Sequence, residues 1–148
     1  AHGSAEDIPR LLEVLEALAS TDDMRVRAEL WFGIWATLCP RGRLYDAAYA
    51  AVPHLLAMTR ELIADERVAA LHVATEVETL RHVAGAPSIP DDLVPAYAMA
   101  IESLPSVVAE LSGGPWDAAT AQIMAAALLA GKRHPTLART ILALGESS

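Results

Sequence analysis

The stretch from Leu38 to Leu56, LCPRGRLYDAAYAAVPHLL, contains a helix stop, a tight connection and the start of a new helix. Cys39-Pro40 ends the preceding helix, because proline has no amide donor and clashes with the turn before it. Gly42 can adopt a positive φ at low cost, and Asp46 is a favourable N-cap for the helix that follows. The stretch therefore predicts two consecutive helices joined by a short loop.

A proline follows inside the apolar run of the second helix. Pro53 would cost about 3 kcal/mol in a regular helix interior, so either a new helix starts there or one helix is kinked. The local pattern recurs, since Ile8-Pro9-Arg10-Leu11-Leu12 matches Val52-Pro53-His54-Leu55-Leu56 and Leu104-Pro105-Ser106-Val107-Val108 is a looser third copy. Spacings near 40–47 residues with two helices per unit are typical of HEAT-type solenoids. Proline near helix starts is also common without any repeat.

The same segments resemble a known family. Asp7-Ile8-Pro9-Arg10-Leu11-Leu12, Tyr45-Asp46-Ala47 and Ala51-Val52-Pro53-His54-Leu55 are similar to the paired helix motifs of short bacterial HEAT-like repeat proteins, over about a third of the chain. Members often carry His-Gln-Gly in the loop where this chain has Pro40-Arg41-Gly42, so only the glycine matches. The resemblance implies an all-α fold and little about chemistry, because repeat folds host many functions.

Apolar periodicity along the rest of the chain predicts about seven helices. The first helix is expected at 8–19, the second from a cap at Thr21 or Asp22 to Leu38, the third at 46–63, and the fourth at 66–84 with Asp65 as its cap. The fifth is expected at 91–111 with a bend at Pro105, the sixth from the cap Asp117 to Ala130, and the last from Pro135 to Gly145. We expect a right-handed HEAT-like stack of about three helical hairpins plus a C-terminal capping helix. Ala1-His2-Gly3-Ser4 indicates a cloning remnant, and residues 5–148 are predicted to form one domain.

Composition limits the possible partners. Apolar residues make up 53% of the chain, and the longest run without charge, 118–131, is shorter than the ~20 residues that cross a bilayer. The net charge of −8 is a poor match for nucleic-acid phosphates and a better match for a basic protein. The single cysteine, Cys39, excludes an internal disulfide and favours a cytoplasmic location.

Aromatic residues crowd into one region, since five of the seven lie between positions 31 and 49. They form either the main core cluster or a partly exposed patch beside two loop arginines. Trp, Tyr and Arg are the residues that interface hot spots favour. The candidate partner-binding residues are Trp31, Trp35, Arg41, Arg43 and Tyr45.

No residue pattern reaches the level of a catalytic motif. His72 and Glu76 lie four apart and could reach one metal ion, but two ligands do not make a site. Cys39 would need a histidine and an orienting group supplied by the fold to act as a nucleophile. Glu78 precedes His82 by four residues and could form a modest pair with it. We therefore expect no cofactor, no metal and no enzymatic activity.

Three functions remain open at the level of sequence. The first is a non-catalytic protein–protein interaction module of the HEAT-repeat type, such as a bacterial immunity protein that binds a basic toxin. The alternative is a small-ligand-binding or regulatory helical domain, with a pocket between the second, third and fifth predicted helices. The third is an enzyme, which a histidine or cysteine with a strongly shifted pKa in a cleft would indicate.

Overall fold

The computed structural model describes residues 7–38, 44 and 46–146, and within these ranges every regular element is helical. Eight α-helices and one 3₁₀ helix, Met58–Glu61, occur there. The predicted all-α class is confirmed. The α-helices are α1 (Asp7–Ser20), α2 (Met24–Leu38), α3 (Asp46–Ala57), α4 (Ala64–Leu80), α5 (Val94–Glu102), α6 (Leu104–Glu110), α7 (Ala118–Gly131) and α8 (Pro135–Glu146).

Helix α4 lies at the centre of the fold. It packs against α2 and α3 on one side and against α7 and α8 on the other. Its side chains are buried on nearly all sides, because both layers cover it. Ala70, Val73, Val77 and Leu80 form part of this buried surface as predicted, whereas the exposed Ala84 lies beyond the helix end.

Helix α7 is the second central element. Alanine side chains dominate its buried surface, and small residues let neighbouring backbones approach closely. It contacts α4, α5, α6 and α8. The predicted central position of this helix is confirmed, and so are its N-cap and the start of the next helix at Pro135. Asp117 accepts a hydrogen bond from the Thr120 amide at 2.7 Å, and this bond lowers the pKa of Asp117.

The starts of α2 and α4 differ from the predicted caps. Asp23, one residue beyond the predicted position, accepts hydrogen bonds from the amides of Arg25 and Val26 at 3.0 and 3.4 Å. Helix α4 begins at Ala64, and its N-cap residue Ile63 offers no side-chain hydrogen bond. Asp65 therefore lies inside the first turn of α4 and does not cap it.

Prolines divide the chain less regularly than a repeat would require. Pro53 lies inside the continuous helix α3, which decides between the two alternatives in favour of one helix. Pro9 is the third residue of α1 and Pro105 the second residue of α6, so the three prolines do not occupy equivalent helix positions. The predicted helix 91–111 is interrupted at Ser103, because Pro105 starts a new helix where a bend was expected.

The buried face of α2 is rotated from the predicted one. The spacing of Met24, Ala28, Trp31, Trp35 and Leu38 predicts one apolar face. The residues that the structure buries are Arg27, Ile34 and Leu38, and Met24 is exposed. Large apolar side chains are ordinarily buried and arginines ordinarily exposed. Arg27 reverses that expectation because it has a buried partner, which is described below.

Candidate functional site

A cleft of about 540 Å³ opens between the C-terminal end of α4, helix α5 and the turn that joins α7 to α8. This volume lies within the range of small-molecule sites, about 300–1,000 Å³. Most of the cleft wall is apolar, and charged side chains lie at its floor and rim. The lining residues that matter most for its chemistry are Glu78, Arg81, His82, Tyr97, Glu102 and Arg133.

The floor of the cleft is built around one buried carboxylate. Glu78 Oε2 accepts hydrogen bonds from the Tyr97 hydroxyl at 2.8 Å and from Arg81 Nε at 2.7 Å. Its Oε1 lies 3.0 Å from Arg81 Nη2 and 3.2 Å from His82 Nε2. The predicted Glu78–His82 pair is confirmed, but the sequence pattern marked Glu78 only as a polar interruption of the helix. With both oxygens engaged, this carboxylate joins Tyr97, Arg81 and His82 at the floor.

Arg81 completes the charge balance of the floor. Desolvation pulls the pKa of Arg81 down, but the hydrogen bonds to Glu78 and the attraction of that carboxylate outweigh it and raise the pKa overall. The guanidinium also lies 5.9 Å from the centre of the Tyr97 ring. Two of its five N–H groups bond Glu78, and the other three make no hydrogen bond to the described residues. Arg81, which lines the cleft, therefore has donors that the described residues do not use.

Two tyrosine side chains in contact with each other support the floor of the cleft. The rings of Tyr49 and Tyr97 meet edge to face, with centroids 5.2 Å apart. The Tyr49 hydroxyl donates to the carbonyl oxygen of Pro87 at 2.5 Å, which ties the loop before α5 to α3. Burial, and then the nearby charge and hydrogen bond of Glu78, raise the pKa of Tyr97 far above its usual value. Tyr97 therefore stays protonated as a donor to Glu78.

We expect the alkaline stability of the protein to report on this hydroxyl. Above about pH 10, Tyr97 ionises in the unfolded chain but not in the folded one, so the unfolded state binds fewer protons. The free energy of unfolding should then fall by about 1.4 kcal/mol per pH unit for this residue, and be unaffected by it below pH 10. Urea titrations between pH 9 and pH 11 should show a shallower decline for Tyr97→Phe than for the wild type. Equal slopes would contradict the burial of this hydroxyl.

The rim of the cleft carries an arginine in an unusual conformation. Arg133 has φ = 67°, and it is the one non-glycine residue of the described ranges with positive φ. It sits at the position after the α7 C-cap where glycine is usually found, because the amides of Arg133 and His134 bond back to the carbonyls of Ala130 and Leu129. The left-handed conformation costs such a residue about 1 kcal/mol. Its side chain is 88% exposed and lies 3.7 Å from the Glu102 carboxylate.

The two predicted partner-binding residues that the structure describes, Trp31 and Trp35, do not line the cleft. Trp31 and Trp35 are partly buried against the core, and the Trp35 ring lies 4.8 Å from the His72 ring. The Nε1 atom of Trp31 is buried with no acceptor among the described residues. Arg41, Arg43 and Tyr45 lie outside the described residues, so the structure does not place these three beside the tryptophans. Partner binding by this set remains a prediction.

The cleft is not the predicted pocket, which stays a prediction, and the metal and cysteine alternatives gain no support. The cleft involves α4, α5 and the α7–α8 turn, and its lining includes no residue of the second or third predicted helix. The described ranges hold no group of three or more candidate ligands for a metal ion. His72 Nε2 lies 3.7 Å from Glu76 Oε2. Cys39 lies outside the part of the chain that the structure describes.

A second buried ion pair lies at the other end of α4 and is structural. Arg27 Nε and Nη2 bond the two oxygens of Glu66, and Arg27 Nη1 donates to the carbonyls of Leu18 and Thr21 at 2.7 and 2.6 Å. These bonds join α1, α2 and α4. The hydrogen bonds to Glu66 raise the pKa of Arg27 despite the opposing effect of its burial. Both side chains are largely buried, at 10% and 7% exposure.

Comparison of the chain with protein-family models, with curated proteins and with solved structures gives no match. Among the described helices, none has both the length and the apolar character needed to cross a membrane. The case for a function therefore depends on the geometry of the cleft and on the exposed surfaces of the helices.

Proposed function

We propose that this chain is a non-catalytic binding protein, and that a small molecule occupies the cleft between α4, α5 and the α7–α8 turn. The observation that carries the proposal is the construction of the floor. A carboxylate with four hydrogen-bond contacts lies beneath mostly apolar walls of a cleft with ligand-sized volume. Preformed pockets with a few fixed polar groups are what small ligands require.

We also propose that the helices form a HEAT-like stack. Sequential helices pack as pairs, α1 with α2, α3 with α4, and α6 with α7, while α8 covers the outer side of α7. This pairing supports three hairpins and a terminal helix, and the unequal proline positions count against a strict repeat. The acidic charge of the chain supports a function without nucleic acid, and the lone Cys39 supports a cytoplasmic one.

The test is a thermal-shift screen of a fragment library with two matched variants on α5. Ala98 lines the cleft, so Ala98→Trp should fill it, whereas Ala96 is exposed outside the lining and Ala96→Trp serves as the control. A ligand at 100 times its Kd stabilises the native state by about 2.7 kcal/mol. We expect hits that raise the melting temperature of the wild type and Ala96→Trp but not of Ala98→Trp. Hits that raise the melting temperature of Ala98→Trp as much as that of the wild type, or a screen without hits, would refute the proposal.

A protein–protein interaction module is the second candidate, and the outer face of α2 favours it. Met24, Ala28, Phe32 and Ala36 follow one another at steps of four and are all exposed, so they form an apolar ridge on the helix surface. Phe32 is 74% exposed. The net charge of −8 supports a basic partner, such as a toxin blocked by an immunity protein. A basic protein retained by immobilised wild type and by Met99→Ala, another exposed apolar position, but not by Phe32→Ala would support this function.

A further inference from the structure

The polar groups that face the cleft are mainly hydrogen-bond donors. Glu78 has its acceptor positions filled by Tyr97, Arg81 and His82. Three N–H groups of Arg81 and the guanidinium of Arg133 remain as donors, and the exposed Glu102 carboxylate is the charged acceptor left at the rim. A ligand that matches this inventory supplies acceptors, and guanidinium groups bind carboxylates with paired, charge-assisted hydrogen bonds.

The charges around the cleft differ from those of the whole chain. The chain carries 19 acidic and 11 basic residues, yet the cleft lining has two acidic and two basic side chains together with His82. Glu78 is neutralised by Arg81 at the floor. Glu102 is 63% exposed and holds Arg133 only loosely, at 3.7 Å. The rim cation is therefore able to exchange Glu102 for a bound anion.

The backbone at Arg133 gives an independent argument. Glycine would adopt the observed φ of 67° without strain. A cation near the end of α7 also interacts favourably with the helix dipole, but Lys132 and His134 already supply positively charged or titratable groups on either side. Strain retained at a cleft rim points to a use for the side chain in binding.

We propose that the ligand of the cleft is an organic carboxylate with an apolar body, and that Arg133 binds its anionic group. This inference rests on the proposed small-molecule function of the same cleft. The apolar body lies against Val94, Ala98 and Ile101, which line the wall that α5 provides. Glu102 competes with the ligand for Arg133.

The experiment is isothermal titration calorimetry of the full chain with three probes that share one apolar body. These are 4-phenylbutyrate, 4-phenylbutan-1-ol and 4-phenylbutylamine. We expect the carboxylate to bind about tenfold more tightly than the alcohol, because a hydrogen bond to a charged group is replaced by a neutral one. The amine should bind most weakly, since Arg133 repels it.

Three variants identify the residue responsible. Arg133→Gly should weaken carboxylate binding about tenfold, weaken alcohol binding by less than that, and raise the melting temperature, because glycine relieves the strained φ. Glu102→Gln should tighten carboxylate binding by freeing Arg133. Arg60→Gln is the matched control, because Arg60 is also exposed, lies 3.8 Å from a glutamate and is outside the cleft; it should change nothing.

The possible failures are distinguishable. Equal binding of all three probes, abolished by Ala98→Trp, would keep the small-molecule function and overturn the carboxylate inference. Carboxylate preference that survives Arg133→Gly would overturn the assignment to Arg133. Binding of none of the probes by the wild type would overturn the inference, and the fragment screen would then decide the proposed function separately.

Discussion

Replacing Glu66 with alanine is expected to lower the free energy of unfolding by about 3–5 kcal/mol. Arg27 and Glu66 have side chains only 10% and 7% exposed, so the variant leaves a guanidinium charge inside the fold without its counter-ion. Arg27 Nε and Nη2 would lose their acceptors, while Nη1 would keep the carbonyls of Leu18 and Thr21. Urea denaturation at neutral pH measures the loss.

The matched control for this variant is an exposed pair. Arg60 and Glu110 lie 3.8 Å apart at the surface, and such pairs contribute about 0–1 kcal/mol. Glu110→Ala should therefore cost at most about 1 kcal/mol. The double variant Arg27→Met with Glu66→Leu should lose less than Glu66→Ala, because it removes both charges, although two carbonyls then lack a donor. A Glu66→Ala protein as stable as Glu110→Ala would mean that the pair is solvated.

A methyl group at position 131 is expected to destabilise the protein by about 1–3 kcal/mol. A Cβ on Gly131 would lie 2.5 and 2.9 Å from the Cδ and Cγ atoms of Pro105 and 3.1 Å from the carbonyl oxygen of Ile101. The proline ring and the backbone carbonyl cannot rotate away as a flexible side chain would. Helices α6 and α7 would have to separate, and the turn that carries Arg133 would move with the end of α7.

The matched control is the glycine of α2. A Cβ on Gly33 would meet no atom within 4 Å, and replacing a helical glycine with alanine usually stabilises by about 0.5–1 kcal/mol. We expect Gly33→Ala to raise the melting temperature and Gly131→Ala to lower it, as measured by circular dichroism. If both variants change stability in the same direction, the close contact between α6 and α7 is not present in solution.

The all-α class was predictable because local signals determine it. Apolar residues recur at helical spacing, and Asp117 and Pro135 mark helix starts at the places where the structure has them. Pro105 predicted a bend before α6, and the structure instead has a full interruption of the helix at Ser103. These features depend on residues within one or two turns of each other, so a sequence contains all the information they need.

The cleft could not be predicted because its interactions are not local. Glu78 and Tyr97 are 19 residues apart. The buried pair at the other end of α4, Arg27 and Glu66, is separated by 39 residues and was missed for the same reason. Nothing in the neighbourhood of Glu78 distinguishes it from a solvated glutamate, apart from the spacing to His82. The left-handed conformation at Arg133 had no signal either. Gly131, the nearest glycine, serves the close contact with Pro105, and the turn two residues later is made without glycine.

The two buried carboxylates have a joint consequence for the orientation of α4. A helix with apolar side chains on nearly every side could rotate or slide along its axis and still bury a similar surface. Glu66 near one end must meet Arg27, and Glu78 near the other must meet Tyr97 and Arg81. Since an unpaired buried charge is costly, only one rotational setting satisfies both ends at once. The two pairings therefore fix the rotation of α4 about its axis and its position along that axis. The position of the cleft floor is fixed with them.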